Sequence, residues 1–248
     1  MAENKYIAKS NFNCEVLWLD SPENTTYTTD ETLEFILQPN SSRNIIIVQN
    51  ENEKSTHNTK FNIELKENSQ LKLTIITLNG NVNNDIHTQL TGKGANCELN
   101  GLYLGGGERV INTTVNLIHK VGECKSEQLF KGILGGKSRS FFQGDVIVER
   151  DAQKTEAYQA NNNLLTSPDA KAVSKPELII YADDVKCSHG STVGTLGTEE
   201  LFYMRSRGIT LEEAQLLQQQ AFASAVLEKI SDVNLREQLT NLVVERLR

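Results

Sequence analysis

Phe61-Asn62-Ile63-Glu64-Leu65 and Leu71-Lys72-Leu73-Thr74-Ile75-Ile76-Thr77 decide the fold class. Phe61, Ile63 and Leu65 share one parity, as do Leu71, Leu73 and Ile75, with polar residues between them. Alternation with a period of two places one face of an extended strand inward. Working outward, Cys14–Leu19, Leu33–Gln38 and Asn44–Gln49 read as strands before this pair. Ile86–Leu90, Cys97–Leu104, Val110–His119, Gln128–Leu134, Phe141–Glu149 and Leu178–Cys187 follow it. Regular short strands fit a sandwich, a barrel or a β-solenoid, and periodicity does not choose among them. There is no strict repeat motif, so a solenoid here is an irregular one. Asn161–Pro176, with three asparagines and two prolines, reads as a loop before the last strand.

Composition supports a chain rich in tight turns. Of 24 asparagines, 22 lie between Asn4 and Asn163. Asn tolerates left-handed backbone and bonds its own backbone in turns. With 248 residues, 38% hydrophobic and 23% charged, the chain is neither disordered nor fibrous. The formal net charge of −7 opposes binding to phosphate backbones, so nucleic acid is not an expected partner. Met1–Ser10 lacks the apolar core of a signal peptide. The β-branched run Ile45–Val48 is far too short to cross a bilayer, so no membrane is expected and the default location is the cytoplasm. Four widely spaced cysteines (Cys14, Cys97, Cys124 and Cys187) read as free thiols.

After Gly208 the composition changes to Leu, Ala, Gln and Glu, with neither Gly nor Pro through to Arg248. That is helix composition. Thr198 can cap a first helix with Glu199 and Glu200 in its opening turn, Arg205 and Arg207 at its end and Gly208 as the stop. Thr210 and Glu213 have capping-box spacing. Leu217, Ala221 and Ala225, with Phe222, Val226 and Ile230, form a wide stripe. Leu235, Leu239, Leu242, Val243 and Leu247 mark a third helix after Ser231-Asp232. The stripes pack on each other and on the β region, or leave a surface for a partner. The division is therefore a β core over 1–195 and a helical domain over 196–248.

Three motifs bear on chemistry. Gly132-Ile133-Leu134-Gly135-Gly136-Lys137-Ser138 is one residue short of a phosphate loop and leads into the strand-like Phe141–Val148 rather than a helix. It is not read as a nucleotide site, and Gly105-Gly106-Gly107 reads as a turn. His119 and Cys124 could meet across a turn, but a lone pair does not make a metal site. The most informative stretch is Val185-Lys186-Cys187-Ser188-His189-Gly190. In an extended strand Asp183, Val185, Cys187 and His189 share a face, so a thiol and an imidazole could reach one ion or one sulfur-bearing guest. Two ligands do not complete a tetrahedral site, and the others would come from a second chain or a distant loop. Cysteine–histidine nucleophilic catalysis is a second reading, and a buried Cys beside a satisfied His a third.

Lys175-Pro176-Glu177-Leu178-Ile179-Ile180-Tyr181-Ala182-Asp183-Asp184-Val185-Lys186-Cys187-Ser188-His189-Gly190 resembles the signature of the SufB/SufD family of iron–sulfur cluster assembly scaffolds. Thr192-Val193-Gly194 and Leu201 through Ile209 continue it. Gly92–Ala95, Glu98–Leu104, Lys131–Leu134 and Asn161–Leu165 are similar to the same family. The resemblance runs from about residue 92 to the end, and Cys-Ser-His-Gly is of the SufD type. Ser191 and Gly197 depart from the usual Ala and Asp. Residues 1–91 resemble the family only in being β-rich, and the mainly helical N-terminal region usual in the family is not evident.

The resemblance implies a right-handed parallel β-helix followed by a small helical domain. It implies a non-catalytic scaffold that pairs with SufB along the β-helix and docks the ATPase SufC through its helices. A transient cluster at the SufB interface, rather than a stably bound cofactor, is then expected. His189 matches the SufD histidine that faces a SufB cysteine, with Cys187 a weaker candidate; imidazole and thiolate both ligate iron. Leu201, Phe202, Tyr203, Arg205 and Arg207 are the candidates for docking SufC. The competing classes are a Cys187/His189-dependent hydrolase or metal enzyme, and a homodimeric remnant that pairs through an edge strand near 177–189.

Overall fold

The computed structural model describes residues 6–9, 14–20 and 26–248. Most of Met1–Ser10 lies outside them. Fourteen strands precede three helices among the described residues. They are β1 (Tyr6–Lys9), β2 (Cys14–Asp20), β3 (Thr28–Leu37), β4 (Ser42–Asn50), β5 (Thr56–Leu65), β6 (Gln70–Asn79) and β7 (Asn81–Leu90). There follow β8 (Asn96–Gly105), β9 (Val110–His119), β10 (Lys125–Leu134), β11 (Arg139–Val148), β12 (Thr155–Leu165), β13 (Lys171–Ile180) and β14 (Val185–Thr195). The helices are α1 (Thr198–Ser206), α2 (Leu211–Leu227) and α3 (Val233–Leu247).

From β2 onward, successive strands alternate between two sheets. One sheet runs β1-β2-β4-β6-β8-β10-β12-β14 and the other β13-β11-β9-β7-β5-β3. Every pairing is parallel except β1 with β2. This is the expected parallel β-helix, and the sandwich and barrel are excluded. One turn of the coil takes from 25 residues, as Thr56 to Asn81, to 32, as Arg139 to Lys171. That variation explains why no strict repeat is legible.

The sheets differ in patterning because they have different neighbours. The strands of the six-stranded sheet alternate, as in β7 and β9, with one face inward and one toward water. The middle strands of the eight-stranded sheet are buried on both faces. Ile45 and Ile47 enter the coil interior with Leu73, Leu99 and Phe130, whereas Ile46 and Val48 join the layer beneath the helices. The Ile45–Val48 run is therefore a strand covered on both sides. α2 lies across β8 and β10, and α3 lies over β6. Ala223, Val226, Leu239 and Val243 close that layer. Lys229 ties it down by donating to Glu127 Oε1 at 2.9 Å, with Glu98 Oε1 at 3.3 Å.

Asparagine has two uses. Asn40 and Asn68 hold left-handed backbone at successive turns of one corner, with φ of 60° and 51°. Along the outer face of the six-stranded sheet Asn58 donates to Asp30, Asn83 to Asn58 and Asn112 to Asn83, a side-chain ladder in step with the coil.

Two segments depart from the sequence reading. Asn161–Pro176 is not a loop: Asn161 to Leu165 completes β12 and Lys171 to Pro176 begins β13. Asn161 and Asn163 point inward, where Asn161 donates to Tyr103 Oη and Tyr103 donates to Asn163. Pro176 is tolerated because β13 is an edge strand, where a missing N–H leaves no partner unpaired. Leu178–Cys187 is not one strand, because residues 181–184 turn the chain from one sheet to the other. At the helices, Gly197 rather than Thr198 is the N-cap of α1, and no side chain caps it. The Thr210–Glu213 capping box is formed. Leu217 is exposed rather than part of the packed stripe. Among the described residues no helix is long and apolar enough to cross a membrane.

Candidate functional site

β13 and β14 end their sheets side by side, so the last turn of the coil is open. Val173 and Val193, on these two strands, are 45% and 47% exposed. Among the described residues β14 pairs only with β12, and it is exposed along most of its length. It carries both residues singled out from the sequence. Cys187 pairs in register with Ala157 and His189 with Gln159. Val185 and Cys187 pack against the interior core, and His189 shares their parity. Asp183 does not belong to this face, because the strand begins only at Val185.

Burial pushes the Cys187 thiol up, against a smaller lowering by a backbone hydrogen bond from Ala157. A thiol held in its neutral form is a poor nucleophile. Among the described residues the hydrogen bond of Cys187 is to the Ala157 backbone and none joins it to His189, and no group of three or more His, Cys, Asp or Glu is placed to hold a metal. A shallow depression of about 530 Å³ lies beside His189, lined also by Gln128, Gln159, Tyr158 and Ser188. Gln159 Nε2 donates to Gln128 Oε1 at 2.9 Å inside the coil.

The remaining motifs have structural roles. Gly132–Ser138 passes from β10 through a turn into β11, with Gly136 at φ 60°. The glycine at 132 is required by Tyr103 and Asn163, into which a Cβ would be driven. His119 Nε2 lies 2.9 Å from Ser126 Oγ and Cys124 donates to the Gly92 carbonyl, so the two do not converge on a metal. The structure also assembles a cluster that the sequence reading missed. The His57 ring lies between Glu51, at 2.8 Å, and Glu31, at 3.7 Å. Its members come from separate strands and turns, and only the register of the coil brings them together.

The helical end presents a second surface. α1 buries none of its residues. Phe202 is 76% and Tyr203 59% exposed, Arg205 and Arg207 are exposed, and Leu201 is half-buried. The Arg207 guanidinium lies over the Tyr203 ring at 5.1 Å. Gln218 of α2 fixes the start of α1: it accepts from the Gly197 N–H and donates to the Gly197 carbonyl. Tyr203, Met204, Leu217 and Ala221 line an apolar groove between the two helices.

Comparison with known proteins matches residues 5–222 to the profile of the SUF system FeS cluster assembly SufBD core domain. The chain belongs to the SufBD family of iron–sulfur cluster assembly proteins. It is SufD-like. It is 42% identical over 160 residues to the iron–sulfur cluster assembly protein SufD of Escherichia coli, covering 64% of this chain and 38% of that protein. A SufBD family protein of Synechocystis is 32% identical over 227 residues, covering 90% and 50%. SufD of Bacillus subtilis is 30% identical over 162 residues, covering 65% and 37%. The chain thus spans half or less of the length of these three relatives. The profile also reaches back into the first 91 residues, whose β-rich character alone pointed to the family. The described residues among them form the first turns of the same coil.

Proposed function

We propose that this SufD-like chain is a non-catalytic scaffold subunit in iron–sulfur cluster assembly. It pairs with a SufB through the open edge at β13 and β14 and docks the ATPase SufC through α1 and α2. His189, with Cys187 behind it, faces the SufB chain, and the nascent cluster is cargo held between the two proteins. The observation that carries this reading is the exposure of β14: a strand open along one edge that bears His189, beside the apolar Val173 and Val193. An open parallel edge is a template for a further strand, and proteins seldom leave one long and uncovered without a partner.

The chemistry fits cargo better than catalysis. Two candidate ligands on one strand leave the rest of an iron coordination sphere to a second protein. The neutral Cys187 thiol and the missing Cys187–His189 hydrogen bond weigh against a nucleophilic enzyme. The exposed aromatic and cationic side chains of α1 suit a protein partner, since Tyr, Phe and Arg are enriched at interface cores. Co-expression with the cognate SufB and SufC, followed by size exclusion, tests the pairing. The expected result is one three-protein complex, lost on Val193→Asp while the isolated variant stays folded. A chain that elutes apart from both partners as a homodimer contradicts it.

A further inference from the structure

Gln128, Gln159 and His189 occupy one column of paired positions across β10, β12 and β14. Gln128 and Gln159 are almost fully buried, at 1% and 3% exposure. The carboxamide of Gln159 has a defined direction. Its Nε2 donates to Gln128 Oε1 at 2.9 Å, toward β10. β14 flanks β12 on the side opposite β10. The amide oxygen, Gln159 Oε1, is buried and has no hydrogen-bond partner. Gly144 on the facing sheet gives the amide its seat, because a Cβ there would strike Gln159 Nε2. A buried carbonyl oxygen without a donor is costly and marks a place where a donor is missing. His189 holds the next position in the column.

We propose that Gln159, itself oriented by Gln128, is a positioning residue for His189: its oxygen accepts the N–H of one ring nitrogen and leaves the lone pair of the other directed at the partner face. A neutral imidazole has one N–H and one lone pair, and the hydrogen bond made by one nitrogen decides which of the two can bind a metal. Without an acceptor the ring rotates and exchanges tautomers. With one, it offers a single fixed donor atom to iron. The proposal rests on the scaffold reading for the purpose of that donor atom, but the hydrogen bond itself can be tested on the chain alone.

The test uses ¹⁵N-histidine-labelled full chain and the ring-nitrogen shifts of His189 at a pH where the ring is neutral. The expected result is one dominant tautomer in the natural sequence, and a mixture in Gln159→Met. Gln159→Glu, which keeps an acceptor in place, is expected to keep the proton on the same nitrogen. The double variant Gln128→Leu/Gln159→Met removes both amides together, leaves neither one unpaired, and is expected to fold and to show the same mixture. Equal tautomer ratios in the natural chain and in both Met-bearing variants overturn the proposal, as does movement of the proton to the other nitrogen in Gln159→Glu. In the co-expressed complex, Gln159→Met is expected to lower iron binding about 10-fold, in the range typical for loss of a ligand's supporting hydrogen bond. If His189→Ala leaves iron and sulfide unchanged, the scaffold reading of His189 fails, and the tautomer measurement still decides the role of Gln159.

Discussion

His57 Nδ1 lies 2.8 Å from Glu51 Oε1 inside the first turns of the coil, with both side chains almost wholly out of solvent. Burial alone would lower the pKa of the imidazole. Hydrogen bonds and charge from Glu31 and Glu51 outweigh it and raise the pKa to about 9. The folded state therefore binds the proton more tightly than the unfolded state. The resulting stabilisation is full below about 6.5 and is lost as pH rises through about 9. A shift of this size corresponds to about 3 kcal/mol. The melting temperature is expected to fall between pH 7 and pH 9.5. His57→Gln is expected to be about 3 kcal/mol less stable at pH 6 and nearly flat across that range. A natural chain whose melting temperature does not change from pH 7 to 9.5 contradicts this.

His119 is expected to act with the opposite sign. Burial lowers its pKa to about 4, with Ser126 the hydroxyl at its Nε2. The unfolded state then binds the proton more readily, so stability falls as pH drops from about 6.5 toward 4. His119→Gln should flatten the acid limb of the melting curve and leave the alkaline limb, which belongs to His57, unchanged. Loss of both limbs together would show that the two histidines do not titrate independently.

Glycine 132 provides a direct check on the rejected phosphate loop. Gly132→Ala should destabilise the coil by about 1–3 kcal/mol, because the new methyl group overpacks Tyr103 and Asn163. Gly107→Ala is different: nothing lies near its Cβ, and only its φ of 57° opposes the substitution. It should cost about 1 kcal/mol. Denaturant unfolding separates the two, and equal costs would refute the packing argument.

The helical end separates stability from docking. Leu239 is fully buried between α3 and the sheet, and Leu239→Ala should cost about 3 kcal/mol. Phe202, at 76% exposure, should change stability by less than about 0.5 kcal/mol when replaced by Ala. If α1 docks SufC, Phe202→Ala with Tyr203→Ala weakens capture of SufC by at least about 10-fold, as expected for aromatic interface anchors. Unchanged capture would move the docking surface elsewhere.

The fold was legible wherever local pattern and tertiary environment agreed. Phe61–Leu65 alternates because only one face is buried, and Val110–His119 is bounded in the structure as it reads in the sequence. The Thr210–Glu213 box is local chemistry and survives intact. Asn161–Pro176 misleads because its polar residues serve the interior of the coil. An inward asparagine bonded to Tyr103, 58 residues away, has the same composition as a turn. The site divides in the same way. Cys187 and His189 are two residues apart on one strand, so their shared face could be read directly. Gln128, Gln159, Glu31 and Glu51 carry no local signal, because coil register alone sets their neighbours.

The most direct test of the account is iron and acid-labile sulfide content in the purified complex of this chain with its cognate SufB and SufC, natural sequence against His189→Ala. With His189 at the working face, the complex assembles in both cases and the variant loses most of its iron and sulfide. A variant that assembles and carries the same iron and sulfide as the natural complex would contradict it, and would remove His189 from the working face.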